Sequence, residues 1–319
     1  MKTSSPETRL PLVVIVGPTA VGKTEVSITL AERFQGEIVS ADSRLFYKGM
    51  DIGTAKPGLL ERQRVQHYLI DVAQPDDVWS LTYFQEQAHQ VIQMIYQAGK
   101  LPFLVGGTGQ YVRAVIEGWQ APPVSPNLAL RKALEEWVDV IGHQGLHARL
   151  STLDPQAAQK IDARNVRRTI RAMEVILSTG RLFSEQRNKG ESPYDLLILG
   201  LIRPRQELYA RIDERIDLMF EKGLVAEVEA LLAQGLSPNL PSLSAIGYRE
   251  IIRYLRGEFD LDEAKVLIRR ATRTYVRRQA NWFKSDDPQI TWFEVDEMTV
   301  SQMSEKISKW LNRKPIAKI

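Results

Sequence analysis

Eight consecutive residues, Gly17, Pro18, Thr19, Ala20, Val21, Gly22, Lys23 and Thr24, fit the pattern G-x-x-x-x-G-K-[ST]. In that pattern backbone N–H groups cradle phosphate, the lysine meets the terminal phosphates as a point charge and the hydroxyl reaches Mg²⁺. The pattern names a ligand class and leaves the reaction open, because kinases, ATPases, GTPases and some transferases share the loop. Further groups stand where they could act on a phosphate ester. Asp42 follows the run Glu37-Ile38-Val39-Ser40 and Ala41, a place where a carboxylate serves as a metal ligand or a general base. The polar neighbours Ser40, Ser43 and Arg44 favour the base, and a helix cap is the third option. Gly106-Gly107-Thr108-Gly109 can bring backbone close to a ligand, with Thr108 supplying a hydrogen-bonding hydroxyl. Arg203, Arg205, Arg211 and Arg215 follow another apolar run; Arg211 and Arg215, one helical turn apart, could clamp a diphosphate leaving group. Asp213, Glu214 and Asp217 stand among them, so a solvated ion-pair lattice is an equal reading.

These groups need elements to hold them. The apolar run Leu12 to Val16 reads as a strand entering the loop, and Val26, Leu30 and Phe34 give the following helix one buried stripe. Glu37 to Ser40 reads as a second strand and Phe103 to Val105 as a third. Between them Ser80 caps a helix running to Gln97, with Phe84, Ala88, Val91 and Ile95 on one face and Gly99 as the stop. Strands alternating with helices predict right-handed crossovers and a parallel sheet, whose ligands bind outside the carboxyl ends of the strands. That rule puts the phosphate loop, Asp42 and the Gly106 to Gly109 turn on one edge. From Pro122 to Pro193 the strand pattern vanishes and helical, arginine-containing segments take over. A strand returns at Leu196 to Ile202, followed by helical segments over Gln206 to Gln234 and Asp262 to Lys284 and a last strand at Ile290 to Val295. The predicted fold is α/β, a P-loop NTPase-like parallel sheet flanked by helices. Residues 8–121 and 194–319 form its core, and 122–193 are an inserted all-helical domain.

Composition sets the outer limits. The chain of 319 residues is 44% hydrophobic, enough for a sizeable core. The first apolar run reads as a core strand rather than a signal peptide, and no stretch approaches membrane-spanning length. Cysteine is absent, which excludes disulfides and cysteine-ligated zinc and suits a reducing, cytoplasmic setting. His143 and His147 have helical spacing but no further ligands nearby, so they read as surface polar residues. Net charge is only +3, so the distribution of charge says more than the total. Arg164, Arg168 and Arg171 share a face beside Arg167, and Arg269, Arg273 and Arg277 recur every fourth residue opposite a stripe of Ala264, Leu267, Ala271 and Tyr275. Like charges at that spacing cost helix stability, which favours a polyanionic partner. Either helix alone reads as a solvated face, and two such faces flanking a phosphate site shift the balance modestly toward a nucleic acid.

Taken together, several segments resemble the tRNA dimethylallyltransferase (tRNA isopentenyltransferase) family. They are Gly17 to Thr24, Ser40 to Ser43, Tyr47 through Met50 to Pro57, His67 to Asp71, Leu104 to Gly109, Arg171 to Val175, Ile246 to Arg249, and Ala271 to Trp282. The match runs in order along nearly the whole chain, and the missing cysteines agree with bacterial members that lack a C-terminal zinc finger. The resemblance implies transfer of a dimethylallyl group from dimethylallyl diphosphate to N6 of the adenosine just 3′ of the anticodon, at tRNA position 37. It implies Asp42 as the base, Thr108 near the diphosphate oxygens or the amine, and Lys23, Arg211 and Thr24 with Mg²⁺ around the leaving diphosphate. The implied partner is the anticodon stem-loop of tRNA, met by a monomer. Asp42, Ser43, Arg44, Leu45, Thr108, Arg167, Arg168, Thr169, Ile170, Arg171, Ser244, Ala245, Ile246, Gly247, Tyr248 and Arg249 would contact it. Many members carry Gln where Leu45 stands, and more basic or polar pairs where Ser244-Ala245 stands. Three other readings compete: an adenylate prenyltransferase, a P-loop small-molecule kinase, and a non-catalytic nucleic-acid binding module using the arginine faces.

Overall fold

The computed structural model describes residues 9–119, 127–185 and 190–313. The chain divides into two compact units, Met1–Ile116 with Ser192–Ile319, and Glu117–Glu191; the expected boundary at residues 121 and 122 lies outside the described residues. The strands are β1 (Leu10–Val16), β2 (Gly36–Ser40), β3 (His67–Tyr68), β4 (Leu101–Gly106), β5 (Tyr194–Ile202) and β6 (Ile290–Glu294). They form one sheet in the first unit in the order β3-β2-β4-β1-β5-β6, every pairing parallel. β1 lies between β4 and β5, and Leu12 to Val16 are wholly buried, as a strand covered by helices on both faces requires. The sequence reading missed β3, since two residues carry no period.

The helices of the same unit are α1 (Lys23–Arg33), α2 (Leu59–Arg64), α3 (Leu81–Gln97) and α4 (Gly109–Ile116). The second unit supplies α5 (Leu128–Leu153), α6 (Pro155–Lys160) and α7 (Val166–Thr179), after which the first unit resumes with α8 (Arg205–Glu221), α9 (Leu224–Ala233), α10 (Tyr248–Leu255), α11 (Leu261–Gln279) and α12 (Thr299–Leu311). Ser80 caps α3 by accepting from the Tyr83 N–H at 3.1 Å. The buried stripe of α3 runs Phe84, Ala88, Ile92, Ile95, so Ile92 takes the core position expected of Val91, four residues on from Ala88. The helix expected over Gln206 to Gln234 is two helices, because Gly223 at φ 94 turns left-handed between α8 and α9. Among the described residues no helix is long and apolar enough to cross a membrane.

The second unit has its own core, with Leu134, Leu146, Leu150, Ile170 and Met173 at its centre. Glu174 is buried there and accepts from Arg131 Nε at 3.0 Å, Arg171 Nη1 at 2.7 Å and the Asn127 N–H at 2.7 Å. Burial raises its carboxyl, but those three donors outweigh it and hold the group below its ordinary range. His147 differs from expectation: its Nε2 lies 2.8 Å from the Ile161 carbonyl and 3.1 Å from that of Ala158, half-buried rather than on the surface.

Candidate active site

β1 ends at Val16, and residues 17–22 carry the chain into α1. A Cβ on Gly17 would stand 2.7 Å from the Leu201 carbonyl oxygen, and Gly22 takes φ 109, where an L side chain is strained. The loop therefore needs both glycines. Lys23 folds its ammonium into the hollow, donating to the Gly17 carbonyl at 3.0 Å and the Pro18 carbonyl at 2.8 Å. Desolvation lowers it to about 8, against the pull of Asp42, which raises it; the Arg215 guanidinium adds to the lowering. Three of the four arginines after β5 turn toward this loop, while Arg205 bonds to the Tyr209 hydroxyl at 3.1 Å and stacks over its ring. Arg203 Nε donates to the Val21 carbonyl at 3.0 Å, Arg211 Nε to that of Ala20 at 3.0 Å, and Arg215 Nη1 to Thr19 Oγ1 at 3.3 Å. Of their acidic neighbours, Asp213 and Asp217 each lie 2.5 Å from a guanidinium of α11, those of Arg273 and Arg269, whereas Glu214 stays beside Arg211 and Arg215 on the phosphate-loop side. The helix thus carries ion pairs on one face and presents Arg211 and Arg215 to the phosphate loop on another.

Asp42 lies just past the carboxyl end of β2. It caps a turn rather than a helix, its Oδ1 accepting from the Arg44 N–H at 3.0 Å. The other carboxylate oxygen accepts no protein hydrogen bond among the described residues. Arg44 Nη1 donates to the carbonyls of Pro241 and Ser242 at 2.9 and 3.2 Å, and the Ser43 N–H meets Thr108 Oγ1 at 3.4 Å. The glycines around Thr108 make room for protein, since a Cβ would lie 2.4 Å from the Ala41 carbonyl at Gly106, 2.4 Å from Gln279 Nε2 at Gly107 and 2.2 Å from the Trp282 ring at Gly109. The Gly106 backbone also borders the phosphate-loop hollow.

Two cavities open from this region. The smaller, about 520 Å³, is lined by Lys23, Thr24, Ser40, Glu61, His67 and Arg211, with apolar walls at Ile38, Leu45, Ile70 and Val105. The larger, about 700 Å³, is lined by Ser43, Arg44, Thr108, Ser244 to Gly247, Arg270, Tyr275 and Arg278. Thr19, Ala20, Asp42, Thr54 and Arg215 line both. Burial pushes Tyr275 up to about 12, helped by the Asp42 carboxylate and opposed by the Thr108 and Gln279 side chains beside it. Thr54 and Gln279 escaped the sequence reading as site residues. Thr54 lay inside the Met50 to Pro57 run and Gln279 inside the Ala271 to Trp282 run that carried the resemblance, and neither residue type by itself pointed to a site.

The profile of the family described as IPP transferase matches residues 45–286. The chain belongs to this family. It is 46% identical over 304 residues to the tRNA dimethylallyltransferase of Thermomicrobium roseum, covering 95% of this chain and 92% of that one. It is 49% identical over 298 residues to that of Roseiflexus castenholzii, covering 93% and 97%. The full-length tRNA isopentenylpyrophosphate transferase from Bacillus halodurans superposes with a TM-score of 0.72 at 42% identity, over 95% of this chain and 97% of that one. A eukaryotic dimethylallyltransferase solved acting on tRNA gives 0.81 at 26% identity, over 97% and 81%.

IPP transferase family position assigned sixteen residues to tRNA, and the structure separates them. Asp42, Ser43, Arg44, Thr108, Ser244, Ala245, Ile246, Gly247 and Arg249 line the larger cavity, whereas Leu45 lines the smaller one. Tyr248 is fully buried, its hydroxyl donating to Glu227 Oε1 at 2.5 Å, so its side chain serves the core. In the second unit Arg167 is exposed and Arg168 half-buried, while Thr169 and Ile170 are buried and Arg171 pairs with Glu174. Arg164 precedes α7 and pairs with Asp162, so it does not continue that helix face. The basic face of α11 is also corrected. Arg269 and Arg273 are bound to the acids of α8, and the arginines facing the larger cavity are Arg270 and Arg278. The expected core stripe shifts with them: Ala264 and Ile268 are buried, while Leu267, Ala271 and Tyr275 line the cavity.

Proposed function

We infer that this protein transfers a dimethylallyl group from dimethylallyl diphosphate to the N6 amine of the adenosine 3′ of the anticodon in tRNA, in the cytoplasm. The observation that carries the reading is the meeting of two cavities at Asp42, one holding the phosphate loop and the other edged by arginines. An electrophile with a diphosphate tail fits the first, and an extruded base fits the second. Adenine N6 attacks C1 of the prenyl group as the C1–O bond breaks, and the bonding electrons leave with the diphosphate oxygen. Lys23, Arg211 and Arg215 meet that growing charge. The N6 proton passes to the carboxylate oxygen of Asp42 that its own turn leaves free, and Thr108 orients the amine.

The donor set suits magnesium. Thr24 offers a hydroxyl in the phosphate cavity, and among the described residues no group of three or more acidic or histidine side chains forms a metal cage. Magnesium keeps its waters and binds through one or two protein oxygens together with substrate phosphates, so an open site of this kind fits it. Thr24 would hold the ion, which when bound would neutralise charge on the diphosphate.

Single-turnover transfer of labelled prenyl from dimethylallyl diphosphate, with Mg²⁺, to an anticodon stem-loop RNA or to AMP tests the reading. Modified RNA with unmodified AMP is expected. Absence of transfer to RNA refutes it, and equal rates on AMP would assign the protein to adenylate prenylation.

A further inference from the structure

Gln279 is the last residue of α11 and is buried, 5% exposed. A buried primary amide is costly unless both its ends are used. Here Oε1 accepts from the Thr19 N–H at 3.0 Å and Nε2 donates to the Gly107 carbonyl at 2.9 Å. The partners stand 260 and 172 residues away in sequence, one on the phosphate loop and one on the turn that carries Thr108. Thr19 lines both cavities, and Thr108 lines the larger one beside Asp42. One side chain therefore fixes the spacing between the segment that receives the leaving group and the segment that meets the acceptor.

Two further observations bear on this contact. Gly107 has room for Gln279 only because it lacks a Cβ, which would sit 2.4 Å from Nε2. Gln279 also stands against Tyr275 on a helix whose next face, Arg270 and Arg278, lines the larger cavity. We propose that Gln279 is a positioning residue, a strut that holds the phosphate loop in register with the Gly107–Thr108 turn so that prenyl C1 and the acceptor amine come into line. The proposal rests on the prenyl-transfer reading for its kinetic consequence, although its structural half concerns diphosphate binding alone. It follows from how steeply bond formation depends on alignment: displacing reacting groups by an ångström costs on the order of a hundredfold.

The test compares wild type with Gln279→Met, which removes both bonds at similar volume, Gln279→Glu, which keeps the acceptor and loses the donor, Gly107→Ala, and the Gln279→Met/Gly107→Ala double variant. Single-turnover rates with saturating stem-loop RNA are expected to fall roughly ten- to a hundredfold in each single variant, with RNA affinity by fluorescence anisotropy unchanged. The double variant should lose little more than either single one, because both act on one contact. Gln279→Met should also bind inorganic diphosphate at least about threefold more weakly by calorimetry, through loss of loop shape. Wild-type rates in both Gln279 variants, or single losses that multiply in the double variant, would overturn the strut. Rate losses that merely track a fall in melting temperature would do the same. Wild type that binds diphosphate but transfers nothing would instead refute the prenyl-transfer reading, and the diphosphate comparison would still decide the strut.

Discussion

Lys23 pairs two demands that pull apart: it must be charged to hold a diphosphate, yet it sits desolvated at about 8. Its ordinary value is 10.5, so the folded chain releases this proton more readily than the unfolded chain does. Stability consequently rises with pH between about 8 and 10.5, the window in which only the unfolded state keeps the proton. Substrate capture goes the other way. The expected kcat/KM for dimethylallyl diphosphate is level below pH 8 and falls about tenfold per unit above it, since kcat/KM reports the free enzyme. By contrast kcat should hold to higher pH, because bound diphosphate stabilises the ammonium. A kcat/KM profile that stays level to pH 9.5 would contradict this. Asp42→Asn tests the neighbouring role: the turn bond to the Arg44 N–H survives on the amide oxygen, while the proton acceptor is lost. Turnover should drop by about 10²–10⁴ with RNA binding retained, whereas a mere binding module would show no change. Both residues were legible in the sequence because a short pattern and a strand end define them locally. Gln279 was not, because its meaning comes from partners 260 and 172 residues away. Thr54 was not, because its own hydrogen bonds are local, to Met50 and Asp51, and only the fold brings it to the cavities.

At the scale of elements, spacing showed which residues share a face but not what that face meets. The i, i+4 arginines of α11 were correctly placed together, yet Arg269 and Arg273 face Asp217 and Asp213 of α8 at 2.5 Å. Nothing local to α11 encodes the approach of α8. The adjacent face, with Arg270 and Arg278, opens on the larger cavity. These two arginines have no acidic partner among the described residues, which leaves their charge available to phosphate. Replacing each by Gln should weaken stem-loop binding and reduce the salt slope of log K by about 0.7–0.9 per charge removed. Arg273→Gln should leave that slope unaltered and instead lower thermal stability, because it leaves half-buried Asp213 with only the more distant Arg269 guanidinium at 3.8 Å. Measuring RNA affinity across a salt series and melting temperatures on the same three variants separates the faces; equal slope changes in all three would erase the distinction. The alternating strands and helices were read from hydrophobic period. The two-residue β3 and the break at Gly223 were missed, since one is too short for a period and the other depends on one glycine inside a continuous helical pattern.

For the whole molecule the decisive feature is that the cavities, the phosphate loop, Asp42 and α11 all belong to one compact unit, while Glu117–Glu191 forms another around its own core. The chain enters and leaves the second unit along adjacent paths, since a Cβ on Gly118 would stand 2.9 Å from the Glu191 carbonyl oxygen. A few flexible residues can therefore replace it between Ile116 and Ser192 without stretching the sheet, in which β1 bonds directly to β5 and β4. The first unit keeps its buried strands in such a deletion, and a buried apolar side chain contributes roughly 1.5–3 kcal/mol, so the shortened protein is expected to fold. If the second unit serves only the RNA, through exposed groups such as Arg167, three results follow together. Inorganic diphosphate should bind the shortened protein with unchanged affinity by calorimetry. Stem-loop RNA should bind more weakly and with a smaller salt slope, because fewer phosphates are neutralised. AMP, which reaches only the core cavities, should compete for the larger cavity equally well in both proteins. Loss of diphosphate binding in a folded deletion would instead mean that the second unit helps shape the phosphate site, and the division of labour between the units would have to be abandoned.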